Sequence, residues 1–151
     1  AGLAGKSLVN VVTVLWVRER SVEGVIEALR AGRAVAIQGV AAYRLSLDRF
    51  EVSAGARIAG IGETVAAPPG APVLVRTTVA ASDGKAHPIE VLLVRSGDVV
   101  ARRAGRTPLT LEYREEGRTG AAAVFRVQAR GEVPHQLLSN PIFVRPGGAG
   151  A

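Results

Sequence analysis

From Tyr43 to Val144 the sequence is a train of short extended runs, each closed by turn chemistry, and this feature constrains the fold most. The runs are Tyr43–Phe50, Arg57–Ile61, Val73–Ala81, Ile89–Arg95, Val99–Arg103, Leu109–Arg114, Ala122–Arg130 and Pro141–Val144. Between them stand Pro68-Pro69-Gly70, Ser82-Asp83-Gly84, Ser96-Gly97-Asp98, Glu115-Glu116-Gly117 and Val133-Pro134-His135. Gly, Asp and Ser supply the backbone conformations of tight reversals, and Pro cannot continue a central ladder. Several runs alternate. Phe125, Val127 and Ala129 oppose Val124, Arg126, Gln128 and Arg130, and Leu109, Leu111 and Tyr113 oppose Thr110, Glu112 and Arg114. One apolar face and one solvated face belong to antiparallel sheets that pack on one side. About seven such strands in roughly 100 residues predict a mainly β chain, folded as an immunoglobulin-like antiparallel β-sandwich.

Ahead of this train lies a single strand–helix–strand unit. Val9, Val11, Val12, Val14 and Val17 make the first segment rich in β-branched residues, apolar in both phases, as in a strand covered on both faces. Ser21 can cap a helix with Glu23 in its first turn, and Val22, Val25, Ile26 and Leu29 share one helical face. Gly32 stands where a left-handed helix end belongs, and Ala34–Gln38 resumes as a strand. The expected division is 1–40 for this unit, 41–145 for the sandwich and 146–151 for a disordered tail. A lone unit of this kind cannot bury its own helix face, so the helix is expected to pack on the sandwich or the chain to pair with a second copy. Trp16, the only Trp, is expected to anchor a core or an interface.

Composition narrows the functional classes. With 151 residues, 48% of them apolar, the chain can close a core without metal or disulfide. It has no cysteine, which removes thiolate metal sites and cysteine nucleophiles and leaves the compartment open. The most apolar run, Leu8–Val17, is half the length of a membrane-crossing helix of about 20 residues and is interrupted by Asn10 and Thr13. A soluble protein is expected. Seventeen of the 19 basic residues are Arg, and the net charge is +6. Arg binds phosphate and carboxylate in forked fashion, so a polyanion partner is one implication. Arg-rich codon usage accounts for the bias equally well. Few aromatics lie between the Arg, which argues against nucleic acid. Arg102, Arg103 and Arg106 form the only dense cluster and are the candidate anion-binding residues.

No catalytic or metal-binding constellation is legible. His87 and His135, the only histidines, each neighbour a proline in a loop, with no carboxylate at ligand spacing. None of the serines sits in a nucleophile elbow. Gly60-Ile61-Gly62 starts like a phosphate loop, but Val65 stands where the third glycine belongs, so a turn before Glu63 is expected. Glu115-Glu116 reads as a solvated turn, and Asp83 and Asp98 as turn residues.

One set of segments resembles a known family. Trp16-Val17 followed by Arg20–Val35 (RSVEGVIEALRAGRAV) resembles the end of PHP (polymerase and histidinol phosphatase) domain proteins, specifically the CehA/McbA branch of metal-dependent phosphoesterase-like hydrolases. Ala59–Val65 (AGIGETV), Ile89–Val100 (IEVLLVRSGDVV) and Ser139–Val144 (SNPIFV) are similar to successive segments of that family's C-terminal sandwich. The resemblance covers residues 14 to 145. It implies a parent enzyme whose seven-stranded β/α barrel holds two or three Mn, Fe or Zn ions and hydrolyses phosphoesters, with residues 1–40 a remnant of that barrel. A bacterial source is expected. The family's last ligand motif, Asp-x-His, would lie just before the first strand, where Ala1–Ser7 offers no Asp, Glu or His. No ligand carries over, and no cofactor is expected in this chain.

The expected function is therefore a non-catalytic C-terminal region that caps or supports the catalytic barrel or mediates assembly. Its partner would be the barrel or a second copy. The alternatives are an Arg-rich polyanion-binding module and a sandwich that self-assembles through strand edges.

Overall fold

The computed structural model describes residues 11–38, 42–116 and 122–147. The first unit is β1 (Val11–Leu15), α1 (Val22–Arg30) and β2 (Ala34–Gln38). The sandwich strands follow as β3 (Leu45–Ala54), β4 (Arg57–Gly60), β5 (Thr64–Ala67), β6 (Val73–Ala81), β7 (Pro88–Arg95), β8 (Asp98–Arg106), β9 (Leu109–Glu115), β10 (Ala123–Gly131), β11 (Gln136–Ser139) and β12 (Ile142–Pro146). Each strand predicted from the alternation is present, β8 running three residues further than expected. Two short strands, β5 and β11, were not expected.

One sheet has the order β4-β3-β6-β9 and is antiparallel throughout. The other has eight strands, built around β10. One edge of β10 pairs with β7, which pairs with β8. The other edge is shared, β11 taking Gln128–Arg130 and β12 taking Ala123–Phe125. Where the ladder changes hands, the Ser139 hydroxyl accepts from the Val127 N–H at 2.9 Å, so that buried donor is satisfied. The sheets face each other across a core of Leu45, Val52, Val75, Val79, Val91, Leu93, Phe125, Val127 and Ile142. The mainly β, immunoglobulin-like sandwich follows directly from the alternation.

The N-terminal unit departs from expectation in four ways. β1 and β2 are antiparallel neighbours, and β2 pairs with β11, so the unit extends the sandwich's own sheet. Successive strands of a β/α barrel run parallel, with the helix as crossover; within the unit expected at 1–40 as a barrel remnant, the described residues 11–38 do not have that arrangement. Val35 and Ile37 of β2 belong to the sandwich core, so the core runs across the expected boundary at residue 40. β1 is not covered on both faces, since Thr13 and Val14 are exposed. Trp16 lies beyond the end of β1 and is 37% exposed, so it is no core anchor. Of the expected tail, Pro146 closes β12 and residues 148–151 lie outside the described residues.

Candidate functional site

α1 is well built locally. Ser21 caps it, its hydroxyl accepting from the Gly24 N–H at 3.0 Å. Glu23 and Arg30 sit at the ends where the helix dipole favours their charges. Gly24 is obligatory, because a Cβ there would lie 2.0 Å from the Glu19 carbonyl oxygen.

The helix nevertheless buries only Gly24 and Ala28. Its apolar stripe faces outward, with Val22 72%, Leu29 56%, Ile26 42% and Val25 39% exposed. The helix therefore does not pack its apolar face on the sandwich, contrary to one expectation. What faces inward is small residues and an ion pair. Arg33, just before β2, is bound to Glu27 of α1 and donates its Nε to the Trp16 carbonyl at 2.9 Å. This pairing holds the Glu27 carboxyl below, and the Arg33 guanidinium above, their ordinary ranges.

The helix end is clamped to the sandwich at one joint. A Cβ on Gly62, in the β4–β5 turn, would lie 2.0 Å from the Ala31 carbonyl oxygen, and Gly62 itself has φ 79°. Its N–H donates to the Pro141 carbonyl at 2.9 Å. The Asn140 side-chain amide donates to the Gly32 carbonyl at 3.2 Å, and its N–H to the Ala34 carbonyl at 3.1 Å. Gly60-Ile61-Gly62 is thus a turn, followed by strand β5, with the Glu63 carboxylate accepting from the Gly60 N–H at 2.7 Å. Next to the joint, Trp16 and Arg33 line a cleft of about 360 Å³ together with Asp48, Arg49, Glu51 and Glu63. This cleft and the helix stripe meet along Trp16-Val17.

The two histidines meet. Tyr43, leading into β3, is sandwiched between the His87 ring at 3.7 Å and the His135 ring at 3.9 Å, both nearly parallel to it. No local pattern marks Tyr43 as a partner of the histidines, and the expectation of no nearby carboxylate is corrected: His87 Nε2 lies 2.9 Å from Asp83 Oδ2. Asp83 is held below the ordinary carboxylate range by the Lys85 N–H first and by His87 next. Burial, with Glu132 and Asp83 nearby, pushes the Tyr43 hydroxyl up. His135 Nδ1 donates to the Glu132 carbonyl at 2.9 Å. His135 Nε2 and the Tyr43 hydroxyl are both buried with no hydrogen-bond partner among the described residues. The rings stack rather than converge on a point, which suits a clasp joining three loops. Among the described residues no group of three or more His, Asp or Glu could hold a metal ion.

The Arg102, Arg103 and Arg106 cluster is divided by the strand. Arg102 pairs across β7 with Leu92, and Arg106 with Pro88, on the outer face. Arg103 pairs with the core residue Val91, faces the other way, and donates to the Thr110 carbonyl of β9. Residues adjacent in a strand point to opposite faces, so this trio is not one site. Glu115 is likewise no solvated turn: it closes β9 and pairs with Arg95 at 2.9 Å. None of the helices among the described residues is long and apolar enough to cross a membrane.

No protein-family model and no curated protein matches the sequence. Among solved structures, fibronectin(III)-like modules of Clostridium thermocellum CbhA are similar in fold, with a TM-score of 0.41 at 15% identity. The match covers 78% of this chain and 62% of that chain, so less than two thirds of the longer polypeptide is spanned.

Proposed function

We propose that this chain is a non-catalytic module of a PHP-type metal-dependent phosphoesterase, seated against the enzyme's catalytic barrel through the apolar face of α1. The observation that carries this reading is the outward stripe of Val22, Val25, Ile26 and Leu29 on a capped, clamped helix. Fully burying one such side chain contributes roughly 1.5–3 kcal/mol. A helix held rigidly with this face outward is preorganised to receive a partner. A second support comes from where the resembling segments lie. Residues of the Arg20–Val35, Ala59–Val65 and Ser139–Val144 segments meet at the single joint formed by Ala31, Gly62 and Asn140. In this reading the segments preserve the attachment of the helix, and the divalent ions and the hydrolytic step belong to the barrel's own residues.

The test is direct. The reading frame immediately before Ala1 should encode Asp-x-His, with His-x-His further upstream; a frame without them overturns the family reading. In the polypeptide that carries barrel and sandwich together, Ile26→Asp with Leu29→Asp should open the junction to proteolysis. An unchanged cleavage pattern contradicts docking through α1. A purified chain that dimerises, and loses the dimer on the same substitutions, would replace the barrel with a second copy as the occupant.

A further inference from the structure

The outer face of the eight-stranded sheet carries five arginines that form no ion pair among the described residues. By register, Arg102 and Arg106 of β8, Arg126 and Arg130 of β10 and Arg145 of β12 all point away from the core. Glu90, opposite Arg130, is the acid of that face. None of the five arginines forms an ion pair among the described residues, whereas the outer face of the four-stranded sheet pairs Arg49 with Glu51, Arg76 with Glu112 and Arg114 with Glu116. Alternate strands are about 10 Å apart and same-face residues along a strand about 7 Å. The five guanidinium groups therefore spread over one broad sheet face rather than converging on a pocket.

Apolar side chains stand among them. Phe143, opposite Val124, is 40% exposed and Leu138, opposite Gln128, is 45% exposed. A face of forked cations interspersed with apolar groups complements a plane of phosphates over hydrocarbon. It suits a duplex backbone poorly, since that offers nothing to Phe143 or Leu138 and curves away from a broad face. We infer that this sheet face binds the surface of an anionic lipid bilayer peripherally, arginines on headgroup phosphates and Phe143 and Leu138 at the interface. The inference is independent of the docking proposed for α1.

The experiment is co-sedimentation of the chain with vesicles of equimolar phosphatidylcholine and phosphatidylglycerol, and of phosphatidylcholine alone, at low and at physiological salt. Binding is expected to the anionic vesicles only and to weaken with salt. Arg126→Gln with Arg130→Gln should reduce it on the order of tenfold or more. Arg102→Gln with Arg106→Gln, on an edge strand where the fold is least at risk, should do the same. Arg76→Gln with Arg114→Gln, on the opposite face, should leave binding unchanged, and Phe143→Ser should weaken it even at low salt. No association with anionic vesicles at low salt overturns the inference. So does equal loss from the opposite-face pair, or a DNA duplex that binds more tightly with the same arginine dependence.

Discussion

α1 and β10 carry comparable numbers of apolar residues and use them in opposite ways. In β10 the alternation is consumed by the core, Ala123, Phe125, Val127 and Ala129 all being buried. In α1 the stripe of Val22, Val25, Ile26 and Leu29 stays outside, and only Gly24 and Ala28 go in. A strand enters this core by its side chains, while the helix is fixed by its ends, through Ser21, Arg33, Gly62 and Asn140. Attachment by ends leaves a helix face free for another surface.

Substitutions sharpen that contrast, and the largest effect belongs to the core. Phe125→Ala should cost about 3–5 kcal/mol in denaturant unfolding. Gly62→Ala comes next: its positive φ alone costs about 1–3 kcal/mol, and the new Cβ must displace the Ala31 carbonyl. Hydrogen exchange should show α1 losing protection in this variant before the sandwich does; uniform loss would mean that the joint is not where the helix is held. Tyr43→Phe should raise stability by about 1 kcal/mol, because it removes a buried hydroxyl with no partner while keeping the stack. Tyr43→Ala should lower it, and equal losses in both variants would assign the hydroxyl a hydrogen bond. The smallest of these effects is acid-dependent. Asp83 has its carboxyl depressed in the folded state, so its contribution is complete above the ordinary carboxylate range and is lost as pH falls below about 4. The stability gap between the native chain and Asp83→Asn should close over that interval, and a gap constant with pH would contradict the depressed Asp83 carboxyl that the Lys85 N–H and His87 together produce.

Much of this was legible from the residues. Alternation in Ala122–Arg130 and Leu109–Arg114 located β10 and β9 because each strand has one wet face. β5 and β11 are not legible in the sequence because four residues, Thr64–Ala67 or Gln136–Ser139, are too few to show a period. The helix stripe was visible, but periodicity states that a face is apolar and not whether anything covers it. Arg102 and Arg103 looked like one cluster because they are neighbours in sequence, where strand geometry sends them to opposite sides. The Tyr43 stack depends on three loops meeting at one end of the sandwich, and no local pattern encodes that encounter.

The most direct measurement is the unfolding midpoint of the isolated chain carrying Ile26→Asp and Leu29→Asp. If the α1 face is a docking surface lying outside the core, the double variant unfolds within about 0.5 kcal/mol of the native chain. A loss approaching that of Phe125→Ala would place the stripe inside this molecule's own core and contradict the assignment.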